Sequence, residues 1–209
     1  CRYLDLANDL AAIEALVAMN DEAKRTSSTL ITGGGFGVLA TEAVVVRLCE
    51  GRPTPAAVRV DALASFAAEG GVMGEAFAQT SVDVIATGGR RYRDGRLVPV
   101  RLASHLRRHT LPDGTTAVSA AVPSGELLAA HRVSGAPNVE FTSALAPTAP
   151  VMRAILPLMT LLVRLPAMRR MMIRQLAKSK TTAAPRPRPH SWGHAIVTWP
   201  DGAVREGWL

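Results

Sequence analysis

The runs Cys1-Arg2-Tyr3-Leu4-Asp5-Leu6 and Ser28-Thr29-Leu30-Ile31-Thr32-Gly33-Gly34-Gly35-Phe36-Gly37 decide the predicted fold of this chain. Each contains the apolar, β-branched or aromatic residues of a short buried strand. Between them, apolar residues recur at helical spacing behind Asn8 or Asp9, either of which can cap a helix. A second helix is predicted over residues 41–48, with Thr41 as its cap. Alternating strands and helices predict parallel βαβ units, as in the late part of a nucleotide-binding α/β domain.

The glycines at 33–35 lie where the second strand meets a helix, the usual position of a ligand loop. The fingerprint G-x-G-x-x-G fails, because Val38 takes the place of its third glycine and no acidic residue ends the next strand. The pyrophosphate loop and roughly 100 residues of a first βαβ half are therefore expected before Cys1. Two interpretations of the glycines stay open. They form an ordinary strand-to-helix crossing, or their backbone approaches a ligand held mainly by other residues.

Beyond residue 55 the pattern changes to short strands and tight turns, with Asp94-Gly95 and Asp201-Gly202 as hairpin turns. Strands are predicted at 58–66, 116–122, 138–143, 194–199 and 204–208, and helices at 72–86 and after Ser124-Gly125-Glu126. The sequence thus predicts an α/β protein in two parts. Residues 1–55 are the C-terminal part of a Rossmann-type sheet. Residues 56–209 are an α+β domain with a mixed sheet and a helical insertion at 147–180.

Composition limits the classes of function. The 209 residues are 48% hydrophobic and 20% charged, which is typical of a globular chain. Cys1 and Cys49 are too few for a disulfide scaffold, so a reducing cytoplasmic compartment is expected. The net charge is +7, but nine of the 24 basic residues lie within 153–188, and no Asp or Glu occurs within 141–200. Charge confined to one segment argues against nucleic-acid binding.

The basic segment also carries an apolar run, Ile155 to Val163. A membrane span needs about 20 apolar residues, so this shorter run is not a transmembrane helix. After Pro166 the basic and apolar residues fall on different helical faces: Arg170, Arg174 and Lys178 on one, and Leu165, Met168, Met172 and Leu176 on the other. Three interpretations stay open: contact with an anionic membrane, a cover over an acyl or other apolar ligand, or an apolar face packed on the core.

Two histidine pairs have a spacing that could place both rings on one metal ion. His105 and His109 are four residues apart, as are His190 and His194. The first pair lies among arginines, which repel a cation, and the second enters a predicted strand. No metal site is therefore predicted.

Motifs for nucleophilic or phosphate chemistry are missing from the sequence, which contains no nucleophile elbow and no Walker loop. Cys49 lies in an apolar helix and is expected in the core. Glu75 and Asp83 are candidates for acid–base chemistry, with exposed helix charges as the commoner explanation. No catalytic residue is assigned.

Several motifs together resemble a known family. Tyr3-Leu4-Asp5-Leu6, a helix, a strand into Gly35-Phe36 and a helix near Thr41-Glu42 are similar to the saccharopine dehydrogenase-like oxidoreductases. Further similar motifs are Gly70-Gly71, Arg93-Asp94-Gly95-Arg96, Pro123-Ser124-Gly125-Glu126 and Ala136-Pro137-Asn138-Val139. The chain departs from the family in continuing its first strand as Ala7-Asn8-Asp9, and in placing Gly37, Ala40 and Glu42 where a family loop has Asp, Pro and Asp.

The resemblance implies hydride transfer between the nicotinamide of NAD or NADP and a small or acyl, lipid-like substrate. The apolar insertion favours the trans-acting enoyl reductase-like branch. Gly34, Gly35 and Phe36 are predicted on the nicotinamide side, where the glycines permit a close backbone approach and the aromatic ring packs on the cofactor. A homodimer is an open alternative to a monomer. The competing interpretation is a non-catalytic module of the same fold, docking on an anionic membrane or a partner through basic helices 153–180.

Overall fold

The computed structural model describes residues 1–65, 71–181 and 188–209. The described residues form seven helices: α1 Leu10–Ala18, α2 Asn20–Arg25, α3 Phe36–Cys49, α4 Glu75–Thr87, α5 Gly125–Ser134, α6 Pro150–Leu162 and α7 Pro166–Ala177. They form the strands β1 Arg2–Leu4, β2 Thr29–Ile31, β3 Ala57–Leu63, β4 Gly71–Val72, β5 Gly89–Arg93, β6 Arg96–Val100, β7 Arg107–Thr110, β8 Thr116–Ala121, β9 Asn138–Ser143, β10 Lys180–Thr181, β11 Trp192–Thr198 and β12 Val204–Trp208. The chain is thus an α/β protein, as predicted.

The largest sheet has eight strands in the order β12-β11-β3-β9-β5-β6, and β8 and β7 continue it from β9. β3 and β9 are parallel, whereas β11 is antiparallel to both β3 and β12, so the predicted mixed sheet is confirmed. β5 pairs with β9 at Val139, and β8 pairs with it at Thr142 and Ser143. The predicted hairpin turns at Asp94-Gly95 and Asp201-Gly202 connect β5 to β6 and β11 to β12.

Alternation along β3 gives this sheet two different faces. Val58, Val60 and Ala62 belong to the main hydrophobic core together with residues of α3 and α5. Because successive side chains of a strand point to opposite faces, Arg59 and Asp61 lie on the other side. Both faces of the strand centre are buried, and Asp61 has no exposed surface at all.

The first two strands form a separate parallel pair, β1 with β2, connected through α1 and α2. Asp9 caps α1 by accepting a hydrogen bond from the Ala12 N–H at 2.8 Å. The parallel strand–helix–strand prediction is therefore confirmed. The buried environment predicted for the first strand is wrong, since every residue of β1 is exposed. Within the described parts of the chain, no side chains cover the apolar residues of β1.

The helix after the glycines begins earlier than predicted. α3 begins at Phe36 with Gly35 as its N-cap, so Thr41 is not the cap. The Thr41 hydroxyl lies inside the helix and donates a hydrogen bond to the Gly37 carbonyl at 2.9 Å. Packing of α3 on α5 and β11 stabilises this first turn, although no capping side chain marks it.

The start of α4 differs from the prediction, and α6 contains a proline. Val72, predicted to open a helix, lies in β4, and α4 begins only at Glu75. Pro157 lies inside α6, where it cannot donate to the Arg153 carbonyl. Arg101 Nη2 donates to that carbonyl instead, at 2.8 Å, so the helix continues through the proline.

The predicted helical insertion consists of α6 and α7, with Pro166 at the start of α7 as expected. α7 packs on α4, and its apolar residues Met168, Met172 and Leu176 are half-buried. Among the described residues no helix combines the length and apolarity that crossing a bilayer takes. The predicted strand end at Phe66, the Gly70 position and most of the extended stretch 183–189 lie outside the described residues.

Candidate functional site

The glycine-rich loop lies at the carboxyl ends of β1 and β2, where Asp5 fixes its path. Asp5 Oδ1 accepts hydrogen bonds from Thr32 Oγ1 at 2.9 Å and from the Gly33 N–H at 3.1 Å. The Gly34 N–H donates to the Asp5 carbonyl at 3.0 Å. Partial desolvation opposes ionisation, but the hydrogen bonds from Thr32, Ala7 and Gly33 lower the pKa of Asp5. This carboxylate therefore joins the ends of both strands.

Close packing accounts for two of the predicted cofactor residues, Gly34 and Gly35. A Cβ on Gly34 would lie 3.1 Å from the Asp5 carbonyl oxygen, and one on Gly35 would lie 3.3 Å from the Leu6 carbonyl oxygen. The glycines thus permit a close approach to the chain's own backbone. Phe36, in contrast, is 42% exposed at the first turn of α3. No side chain within the described ranges caps that helix at its N-terminus, directly after the loop.

A buried carboxyl lies beneath this loop. Glu126 of α5 is almost completely buried, and its Oε1 is so close to Gly37 that a Cβ there would overlap it. Ser124 Oγ donates to Glu126 Oε2, while the Gly125 N–H donates to the Asn8 carbonyl at 2.8 Å. Burial raises the pKa of Glu126, against the opposing effect of the Ser124 hydrogen bond. The start of α5 therefore joins the loop after β1 to the start of α3.

A second polar cluster crosses the main sheet on the face opposite α3 and α5. We call it the polar row, and it consists of one residue from each of six neighbouring strands: Glu206, His194, Asp61, Thr142, Ser119 and His109. His194 connects the outer half, with Nδ1 2.8 Å from Asp61 Oδ2 and Nε2 2.8 Å from Glu206 Oε1. The Trp208 ring stacks on His194 at a centroid distance of 3.9 Å.

The hydrogen atoms of the inner half follow from the partners. An ionised Asp61 only accepts, so Thr142 Oγ1 donates to it. Ser119 Oγ then donates to Thr142 across 2.6 Å, and His109 Nε2 donates to Ser119 across 2.8 Å. Burial lowers the pKa of His109, although Asp61 opposes this, and a lowered pKa favours the neutral ring. Each donor in this chain of hydrogen bonds has one acceptor.

Asp61 holds the charge of the row. Desolvation opposes its ionisation, but the His194 hydrogen bond, the Arg59 guanidinium and the Thr142 hydrogen bond together lower the pKa of Asp61. Arg59 Nε lies 3.1 Å from Asp61 Oδ2. Asp61 and Arg59 thus form an ion pair, from which the row extends through His194 to Glu206 on one side and through the Thr142 and Ser119 hydroxyls on the other. Such a network orients side chains strongly in a low-dielectric interior.

Asp61, His109 and His194 also lie close enough to be compared with a metal site, since their ligand-type atoms are all within 4.8 Å of one another. These atoms already take part in hydrogen bonds, and the Arg59 charge opposes a cation beside Asp61. A Ser-His-Asp nucleophile is excluded, because Ser119 and Asp61 both approach the same His109 nitrogen and Ser119 is completely buried. The row therefore fits a structural role better than a catalytic one.

The structure separates each of the paired histidines. His109 lies in β7 and His194 in β11, whereas His105 and His190 lie outside strands and helices. The two rings that approach each other are His109 and His194, at a centroid distance of 5.8 Å. Strand neighbours, not sequence spacing, therefore decide which histidines meet.

Other residues singled out in the sequence have structural environments. Cys49 is half-buried against the main core, as predicted, and burial raises the pKa of its thiol. Asp83 of α4 forms an ion pair with Arg169 of α7, which makes it a helix-packing contact. Glu75 is exposed at the start of α4.

Sequence reasoning assigned no role to Asp5 or Glu126, and of the polar row it considered only His109 and His194. Asp5 was part of a recognised motif, but its bonds to Thr32 and Gly33 depend on strand pairing. The sequence does mark Asp61 as unusual, since it is the single carboxylate within the otherwise largely apolar strand β3. No protein-family model and no curated protein matches this chain.

Proposed function

We propose that this chain is part of an NAD(P)-dependent oxidoreductase that transfers hydride to or from a small or acyl substrate. In this proposal β1, β2 and α3 belong to a Rossmann-type domain, and the eight-stranded sheet is the substrate or dimerisation domain. The pyrophosphate is held by a preceding part of the protein. The family resemblance of the sequence motifs supports the same activity.

The observation that carries the proposal is the exposed parallel pair. Leu4 of β1 is 64% exposed and Ile31 of β2 is 50% exposed. Parallel strands are almost always buried on both faces within larger sheets, and a two-stranded sheet alone is marginally stable. We infer that further strands and helices of the same protein cover this pair. A parallel sheet extended there has the architecture of a dinucleotide-binding domain.

The loop at the strand ends supports a ligand position on this sheet. In open α/β sheets, ligands bind beyond the carboxyl ends of the strands, and the loop of Gly34, Gly35 and Phe36 lies there. Phe36 supplies an exposed ring at the uncapped start of α3. Asp5 binds this loop at the ends of the two strands, and Glu126 lies beneath the loop beside Gly37. They position Phe36 for contact with a nicotinamide ring, without themselves supplying a proton.

The test is cofactor binding by the full-length protein, followed through the fluorescence of NADPH and NADH. Phe36→Ala is expected to weaken binding roughly two- to tenfold, the range for one aromatic stacking contact. Phe77→Ala is the matched control, because Phe77 is also an exposed phenylalanine but lies on α4. Equal affinities of wild type and both variants would overturn the role of Phe36.

A full-length protein that binds neither NADPH nor NADH would overturn the oxidoreductase proposal itself. That result favours the non-catalytic module with the same fold. If the cofactor binds, oxidation of NADPH in the presence of enoyl, carbonyl and imine substrates then distinguishes the class of bond that is reduced.

A further inference from the structure

Helix α6 is attached to the rest of the molecule along one side only. Leu156 is buried in a small cluster with Leu102, Ala103, Ala120 and Ala146, and Val163, two turns further on, is also buried. Arg153 Nε donates to the Ala103 carbonyl at 2.8 Å on the same side. These contacts fix which side of α6 faces the body and which side faces outward.

The outward side of α6 is apolar. Val151 is 69% exposed, Leu158 57% and Leu161 60%, and Ile155 between them is exposed as well. Their spacing of three and four residues places them on one helical face. Arg153, the charged residue of α6, is bonded inward, so this face carries no charge. Four large apolar side chains on one outward face are more than the isolated exposed residues of an ordinary surface.

The segment after α6 is basic and carries no acidic residue. Arg164, Arg170, Arg174 and Lys178 are exposed, and among the described residues none of the four forms an ion pair. Arg170, Arg174 and Lys178 line one groove along α7. Arg169, in contrast, is neutralised by Asp83. No Asp or Glu occurs within 141–200, so α6 and α7 themselves contribute only positive charge beside the apolar face.

We propose that α6 and α7 form a peripheral docking surface for an anionic lipid bilayer. The outward face of α6 enters the headgroup region, and the basic residues of α7 and Arg164 contact lipid phosphates. An apolar helix face next to unpaired Lys and Arg is the arrangement of interfacial helices. A second copy of this chain is disfavoured as the occupant, because a symmetric contact brings the same positive surfaces together. The proposal does not depend on the oxidoreductase activity.

The test is co-sedimentation of the full-length protein with vesicles of phosphatidylcholine, with and without phosphatidylglycerol. Binding is expected with phosphatidylglycerol only, and to weaken as salt is added, because salt screens the charge attraction. Replacing two basic side chains, Arg170→Gln with Arg174→Gln, is expected to weaken binding roughly 30-fold. Replacing the apolar pair, Leu158→Gln with Leu161→Gln, is expected to weaken it at least about tenfold.

Two matched controls carry the same chemical changes elsewhere. Arg93→Gln with Arg96→Gln removes two exposed charges from the β5–β6 hairpin, and Leu145→Gln removes an exposed leucine outside both helices. Both are expected to bind vesicles as wild type does, and circular dichroism checks that every variant is folded.

Three outcomes would overturn the proposal. The first is a folded wild type that does not sediment with phosphatidylglycerol vesicles at low salt. The second is equal weakening by the control pair, which indicates unspecific charge. The third is a wild-type dimer in light scattering that the Leu158 and Leu161 substitutions convert to monomers, without vesicle binding. That result assigns the α6 face to self-association.

Discussion

In the eight-stranded sheet Val60, Leu63 and Val139 have no exposed surface, whereas the strands of the β1–β2 pair expose Tyr3, Leu4 and Ile31. Strands of both sheets contain large apolar residues, so the presence of such residues does not account for the difference. The large sheet is covered on one face by α3 and α5 and joined across the other by the polar row. The β1–β2 pair lacks both, within the described ranges. An apolar strand is therefore buried only where other elements of the structure cover it.

The largest effect is expected from breaking the polar row. Asp61→Asn replaces one of the two acceptor oxygens by an NH2 donor, so either Thr142 or both His194 and Arg59 lose their acceptor. We expect the free energy of unfolding to fall by about 3–5 kcal/mol, the range for removing one partner of a buried pair. Urea denaturation measures it, with Glu206→Gln at the half-exposed end of the row as control. A loss as small as that of the control would mean that the row does not stabilise the sheet.

Shortening one leucine to alanine in each sheet compares the stability contribution of a buried strand with that of an exposed strand. Leu63→Ala is expected to cost about 2–5 kcal/mol, because it leaves a cavity in a closed core. Leu4→Ala in this chain is expected to change stability by less than about 0.5 kcal/mol, as for ordinary surface positions. If further strands of the protein cover β1, as proposed above, the cost of Leu4→Ala rises toward that of Leu63→Ala when those strands are present. Equal, small costs for Leu4→Ala in both forms would contradict burial of β1 by a larger sheet.

The smallest effect concerns the pH dependence contributed by Glu126. Burial holds the pKa of this carboxyl above its value in the unfolded chain, so the folded state binds more protons and loses stability as pH rises above that value. Asp61, whose pKa is lowered, has the opposite effect and loses its contribution on acidification. Glu126→Gln stays neutral at every pH. We therefore expect it to be more stable relative to wild type at pH 8 than at pH 4.

Unfolding experiments at the two pH values measure this difference. Glu22→Gln, at an exposed carboxylate of α2, is the control and is expected to show no such trend. If the relative stability of Glu126→Gln is the same at both pH values, Glu126 is ionised in the folded protein. The carboxyl beneath Gly37 then needs a partner other than Ser124.

Local patterns account for the elements that the sequence predicted correctly. Asp9 caps α1, and Asp94-Gly95 and Asp201-Gly202 make the hairpin turns, because each depends on the backbone preferences of adjacent residues. The start of α3 was wrong because packing on α5 replaces a capping side chain there. The continuation of α6 through Pro157 depends on Arg101, a residue distant in sequence.

By itself, the sequence determined the mixed α/β class, the parallel β1–β2 unit, the hairpins and the basic character of the helical insertion. These follow from periodicity, turn chemistry and charge, which short segments carry. Only the tertiary structure decided that Asp5 connects the glycine loop to the end of β1, that Glu126 lies beneath Gly37, and that Asp61 and His194 share one row. Hydrogen bonds between distant strands depend on register, and register is fixed only when the whole sheet closes around its core.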